Sequence, residues 1–353
     1  MNRLLSLFLV LPIGIYAACS SSSGGDTAAA TAPTPGTDGD AAVNGDASAP
    51  EGDAAVVTPG DMTKSPIEGI AAAKIAIDTG AFTNGPIWSA KESVLFFTTP
   101  LGAGALYRLK PDGTATKVRD GAAGELPIGN TIDKTGNLFT IEAKRIVRTS
   151  TSPDAGAPTV VASGYDEVGA DAGPTPFDTL KDAVVGATGT IYATDPGYFA
   201  TPIANHFFRI AAAGKVSVVE AFPDVPRPNG LALTPDGKGL YLGFTQPMQG
   251  TKPFIRKYAV NADGTLGAQA TFAELDMDAQ PDGIEVDQAG NVFVATKAGI
   301  AVFKSDATKI GVIAVPEQPT ACAFGGADLK TLYITTQGTH IFQVTLNLPG
   351  IIQ

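Results

Sequence analysis

Histidine and cysteine are scarce in this chain, two of each in 353 residues. So few soft ligands exclude most zinc sites, and two cysteines cannot staple a disulfide framework. Basic residues are also few, 24 Lys+Arg against 35 Asp+Glu, for a net charge of −11. Such a chain has no basic surface with which to displace counterions from phosphates, so no nucleic-acid partner is expected. No apolar run approaches the ~20 residues that a membrane-spanning helix requires. Amphipathic stretches of convincing helical length are missing as well, which disfavours a doubly wound parallel sheet. Gly-x-Ser-x-Gly, His-Glu-x-x-His and Walker motifs are absent, arguing against a serine-hydrolase elbow, a zincin and a nucleotide-binding loop. What remains is a 44% hydrophobic chain with 41 Gly and 26 Pro. That is enough apolar content for a large core, in a turn-rich composition suited to many short strands.

The N-terminus reads as an address. Asn2-Arg3 is followed by an apolar stretch, Leu4 to Ile15, and by Ala17-Ala18-Cys19. The stretch has secretory h-region length, and the whole resembles a bacterial lipoprotein signal with Cys19 as the acylated residue. Tyr16 departs from the aliphatic residue usual in such signals, and Ser20 after the cysteine resembles proteins sent on to the outer membrane. An ordinary cleaved signal peptide is the plainer alternative. Residues 1–63 hold one of the 24 basic residues and seven of the 35 acids, so 64–353 carries only 23 against 28. The acidic, Ser/Gly/Ala/Pro-rich segment that follows Cys19 cannot bury enough apolar surface to fold, and reads as a self-repelling spacer. The expected organisation is a lipoprotein signal (1–18), an acylated cysteine with flexible acidic linker (19–63) and a globular body (64–353). This places the body in the cell envelope, lipid-anchored, in the periplasm or at the cell surface, with the outer membrane favoured over the inner. A monomer is expected. Cys322, in the apolar run Ala321-Cys322-Ala323-Phe324, reads as a buried structural thiol.

The body repeats one phrase: a polar residue, often followed by Gly, then apolar alternation, a Gly turn, and a β-branched or aromatic strand. Its first positions are 84, 128, 181, 229, 282 and 320, separated by 44, 53, 48, 53 and 38 residues. Six units of short strands at this period predict an all-β, six-bladed β-propeller with about four strands per blade. Residues 70–77 read as a short helix or as the strand completing the last blade. Residues 151–178 read as a long loop between the second and third blades.

Asn84-Gly-Pro-Ile-Trp, Gly189-Thr-Ile-Tyr-Ala-Thr-Asp-Pro, Pro228-Asn-Gly-Leu-Ala-Leu, Pro281-Asp-Gly-Ile-Glu-Val and Phe324-Gly-Gly-Ala-Asp-Leu-Lys-Thr-Leu-Tyr together resemble the gluconolactonase/senescence-marker-protein (regucalcin) family over 80–350. The resemblance implies a six-bladed propeller that hydrolyses lactones or related esters at a divalent cation, often calcium, in the central channel. It further implies metal ligands at the first position of the phrase, usually Glu, Asn, Asn and Asp in blades 1, 3, 4 and 5. The corresponding residues here are Asn84, Lys181, Asn229 and Asp282, so two of the four depart.

Calcium seeks six to eight oxygen ligands with carboxylates prominent, whereas lysine offers three donors and no acceptor. At ~4 Å and an effective dielectric near 20, each unit-charge pair is worth about 4 kcal/mol, so the exchange is large. Three readings stand open. In one, Lys181 replaces the metal and polarises a substrate carbonyl, with Asp282 as general base or nucleophile and Glu142 as a second carboxylate. In another, a weakened cation stays on Asn84, Asn229 and Asp282 while Lys181 swings aside. In the third, the propeller is a non-catalytic module that binds a ligand or protein. Hydrolysis of a lactone or related ester is the leading expectation, with a small molecule as partner and no cofactor beyond the weakened or lost cation. Asp195 and Tyr198, after the blade 3 strand, and Arg227, before Pro228-Asn229, are candidate substrate-binding residues. His206 and His340 fall outside the channel column and read as structural, and Trp88 as blade packing.

Overall fold

The computed structural model describes residues 61–102, 104–151, 157–166, 174–198, 204–223, 226–245 and 251–351. All of them belong to the compact unit Asp53–Gln353. Residues 1–60, which include Cys19 and nearly all of the expected signal and linker, lie outside the described residues.

Among the described residues there is no helix. Six four-stranded antiparallel sheets follow one another. Blade 1 is β2–β5 (Asn84–Ser89, Val94–Thr99, Ala105–Leu109, Ala115–Asp120) and blade 2 is β6–β9 (Pro127–Ile132, Leu138–Glu142, Arg145–Thr149, Thr159–Ala162). A short ribbon, β10 (Gly164–Tyr165) with β11 (Thr175–Pro176), precedes blade 3, β12–β15 (Ala183–Val185, Ile191–Asp195, Ala204–Ile210, Val216–Pro223). Blade 4 is β16–β19 (Arg227–Leu233, Gly239–Thr245, Phe254–Val260, Leu266–Glu274) and blade 5 is β20–β23 (Ile284–Val286, Val292–Thr296, Gly299–Phe303, Lys309–Ile313). Blade 6 joins β24–β26 (Pro319–Gly325, Thr331–Thr336, His340–Thr345) to β1 (Lys74–Asp78), which pairs antiparallel with β26. Of the two readings for 70–77, the strand is the one observed.

The six repeat units thus become six blades. One expectation is corrected: 151–178 is not a loop throughout, because Thr159–Ala162 forms the outer strand of blade 2. Two consecutive valines suit an extended edge, but the run is four residues long, too short for a clear alternating pattern.

Second strands are apolar on both faces because each sheet is covered by a neighbour on either side; β17 and β21 are buried from end to end. Outer strands such as β5 and β19 are largely open. Each of six apolar clusters draws its buried residues mainly from two adjacent blades, the cluster of Phe293, Ile300, Phe324 and Ile334 joining blades 5 and 6. There Phe293 meets Phe324 edge-on at 5.2 Å, a geometry worth about 0.5–1.5 kcal/mol beyond the buried area. Trp88 stacks on Tyr333 at 6.0 Å between blades 1 and 6, and His206 packs against Phe208.

Between the first and second strands, recurrent acidic turns set the register. Asp287 accepts hydrogen bonds from the backbone of Ala289 and Asn291, and Gly290 takes the left-handed conformation that closes the turn (φ +81°).

Candidate functional site

The first strand of each blade runs along the ring's axis, and in four of the six its opening residues are displaced by a bulge. Register shifts occur between Asn84 and Ile87, Pro127 and Gly129, Pro228 and Leu231, and Pro319 and Ala321. In blades 3 and 5 the same place is an irregular step, Lys181 N–H donating to Thr194 O and Asp282 N–H to Ala295 O, both at 2.9 Å. A bulge leaves a residue out of the ladder and re-aims its side chain. In blades 1, 3, 4 and 5 these departures leave the polar first residue of the phrase lining the axis, whereas position 128 is Ile and Thr320 bonds to the neighbouring blade.

Threonines of neighbouring strands lock this arrangement across blades. Thr98 donates to Ile128 O (2.6 Å), Thr194 to Asn229 O (2.8 Å) and Thr320 to Thr83 O (2.8 Å). The glycine that follows the polar residue permits the approach. A Cβ on Gly230 would land on the carbonyl oxygen of Asp282 and the backbone of Gly283 in the next blade.

Asn84, Lys181, Asn229 and Asp282 consequently line one narrow axial channel of about 30 Å³, with Asn130, Asp182, Glu285 and Cys322. Lys181 Nζ lies 3.2 Å from Asp282 Oδ1, their side chains only 11% and 19% exposed. Burial pulls the Lys181 amine down, but Asp282 outweighs it and holds the pKa above the usual lysine value, so the group is an ammonium. Burial pushes the Asp282 carboxyl up, against the pull of Lys181 and a hydrogen bond from Asn229. The Asn229 amide also reaches Thr245 Oγ1 (3.4 Å), while its carbonyl oxygen is buried without a partner. Asn84 turns its carbonyl oxygen onto the N–H of Gly85 (2.8 Å). Asn130 donates to Gly85 O (2.6 Å) and leaves its own Oδ1 unpartnered.

Asp182 is the channel residue that sequence reasoning missed. Its oxygens accept from Ala183 N–H (2.9 Å) and Leu231 N–H (3.3 Å). Burial raises its pKa to about 7, Lys181 opposing. A signal was available, since Asp182 stands where blades 1, 4 and 5 carry Gly85, Gly230 and Gly283.

Tyr198 and Arg227 join the same neighbourhood. Tyr198 interacts electrostatically with Lys181, Asp282 and Arg227 and hydrogen-bonds Thr245, and the Arg227 guanidinium lies 5.1 Å from its ring centre. Two other candidates are placed differently. Glu142 is fully buried but does not line the channel; Arg119 and Arg145 occupy its two oxygens. Asp195 accepts from the N–H groups of Asp178 and Thr179 (2.8 Å each) and Gly197 (3.2 Å). Burial raises its pKa to about 6 despite these bonds. It fixes the chain entering Lys181, with no oxygen directed at the channel. Cys322 is buried on the channel wall, and burial pushes its thiol well above the usual range.

Residues 82–338 match the model of the SMP-30/Gluconolactonase/LRE-like region. The chain is 30% identical over 262 residues to a pentonolactonase of Haloferax volcanii, covering 72% of this chain and 81% of the relative. It is 26% identical over 282 residues to a gluconolactonase of Zymomonas mobilis, covering 72% and 76%. Among solved structures, a gluconolactonase of Xanthomonas campestris superposes with a TM-score of 0.66 at 24% identity, over 82% of this chain and 95% of the other. A calcium-binding regucalcin of Agrobacterium tumefaciens gives 0.65 at 19% identity, over 80% and 96%.

Proposed function

Because the chain belongs to the SMP-30/gluconolactonase/LRE-like family, we propose that it hydrolyses a lactone or related ester at the axial channel, using a lysine ammonium where the family resemblance implies a metal ion. The 3.2 Å Lys181–Asp282 pair carries this reading. Lys181 polarises the substrate carbonyl and stabilises the oxyanion that forms on it, a role in which a fixed, desolvated charge is effective. Asp282 takes a proton from the attacking water as the water oxygen bonds to the carbonyl carbon. When the tetrahedral intermediate collapses, the ring C–O bond breaks and the proton passes to the leaving alkoxide. The product is the open hydroxy acid.

The residues at the four column positions do not fit a hard divalent cation. Their formal charges cancel, the one carboxylate is engaged by Lys181, and the Asn84 carbonyl oxygen accepts from the Gly85 N–H. The Asn229 Oδ1 is a buried column oxygen without a hydrogen-bond partner. It is well placed to accept from a substrate hydroxyl. Asn84 and Asn130 line the same wall. We further infer, from the signal-like 1–18 segment, Cys19 and the acidic linker, a lipid-anchored monomer of the cell envelope.

A panel of aldonolactones and aryl esters, run with and without chelator, tests the site. Turnover is expected to survive chelation and to fall by at least ~10³-fold in Asp282→Ala. Turnover abolished by chelator and restored by calcium would return the metal to the site. A protein that binds sugars but opens no ester would be the non-catalytic module instead.

A further inference from the structure

We propose that Arg227 forms a carboxylate-binding subsite at the channel, so that the lactone taken by this protein is an acidic one, bearing a carboxylate away from its ring carbonyl. The inference rests on the lactonase reading and narrows its substrate class.

Arg227 opens β16, two residues before Asn229. Its guanidinium stands 5.1 Å from the centre of the Tyr198 ring. Stacking engages the face of the guanidinium and leaves its in-plane N–H donors available. The Nε donor is buried and makes no hydrogen bond, and no carboxylate pairs with Arg227 among the described residues. Other partly buried arginines are committed: Arg119 and Arg145 to Glu142, Arg256 to Glu220, and Arg209 to the carbonyl of Gly264. An unpaired buried donor costs free energy that a ligand oxygen restores. A guanidinium edge matches the two oxygens of a carboxylate, and the charge strengthens both bonds.

Position then ties the subsite to the chemistry. Arg227 pairs with Thr245 across β16 and β17, and Thr245 Oγ1 accepts from the amide of the channel residue Asn229 at 3.4 Å, so the arginine begins the strand that carries a channel residue. Lys181 is paired with Asp282, whereas Arg227 has no ion-pair partner among the described residues and its Nε has no hydrogen bond. A neutral sugar can offer it only hydroxyls. A carboxylate supplies the missing charge and both acceptors.

The test compares D-glucaro-1,4-lactone, which carries a free carboxylate, with the neutral D-glucono-1,5-lactone. Wild type, Arg227→Gln and Arg227→Lys are assayed on both, and thermal stabilisation by D-glucarate is measured against D-glucitol. Wild type is expected to favour the acidic lactone in kcat/KM. Arg227→Gln should lower that preference by at least about tenfold, chiefly through KM. Arg227→Lys should recover part of it, because charge returns without the planar fork. A wild-type ratio near one, or a ratio unchanged in Arg227→Gln, overturns the proposal. If neither lactone opens while D-glucarate stabilises wild type but not Arg227→Gln, the hydrolase reading falls and the subsite stands. If the neutral lactone opens and D-glucarate stabilises nothing, the subsite falls alone. Circular dichroism confirms folding, and the lysine variant decides the matter should the glutamine variant not fold.

Discussion

Lys181 and Asp282 face each other at 3.2 Å in a channel where desolvation works against the charge on each; the pair more than offsets it for the ammonium and opposes it for the carboxylate, whose pKa stays raised. Asp182 has no such direct partner. It depends on two backbone N–H donors, and its pKa rises to about 7 from an ordinary 3.8, burial being the main cause. A carboxyl with a higher pKa folded than unfolded binds more protons in the native state. Its contribution to stability is therefore complete below pH 3.8 and is lost as pH rises through about 7. Asp182→Asn removes this group from the titration. Calorimetry between pH 4 and 7 should find that wild-type Tm falls by several degrees relative to the variant. Parallel Tm curves would mean that Asp182 ionises no differently in the folded and unfolded chain.

At the scale of the element, the bulged or irregular start of each first strand matters most. In blades 1 and 4 it lets the polar side chain line the axis, and the glycine after it leaves room for the adjacent blade. Gly230 meets that need directly, since any Cβ there strikes the backbone of Asp282 and Gly283. Gly230→Ala must push blades 4 and 5 apart at the channel. Overpacking of this kind costs about 1–3 kcal/mol, and at about 2–4 °C per kcal/mol the melting point should drop by roughly 5 °C. Because Asp282 is the residue displaced, esterase turnover should fall more than stability alone explains. A variant that melts and turns over like wild type would show that the blades have slack at the axis.

Across the whole molecule, the ring closes where β1 pairs with β26, Lys74 opposite Gln343 and Asp78 opposite His340. Glu317 reinforces the join, reaching both the imidazole of His340 and the hydroxyl of Thr336. A closed ring leaves no inner sheet uncovered, whereas loss of β1 would bare a row of unpaired N–H and C=O groups on β26. A chain that begins at Gly80 should melt at least about 10 °C lower and run as multimers on gel filtration. A stable monomer of that length would mean that apolar contacts between blades suffice to hold the ring.

The sequence by itself determined the period, the strand-rich class, the six units and the polar column at 84, 181, 229 and 282, because strand alternation and turn glycines are local and leave a pattern that can be read residue by residue. It also carried Asp182 in plain view, in a slot where glycine is the rule, though nothing local says that the slot faces a channel. Glu142 and Asp195 looked equally eligible as polar residues at strand ends. Only the tertiary structure placed one between Arg119 and Arg145 and the other on the backbone of 178–179 and 197, while bringing Arg227 to Tyr198 and Lys181 to Asp282. Those outcomes rest on which blades become neighbours and how closely they approach. Pairing between residues 101 positions apart in the chain is a property of the closed ring, and no stretch of sequence encodes it alone.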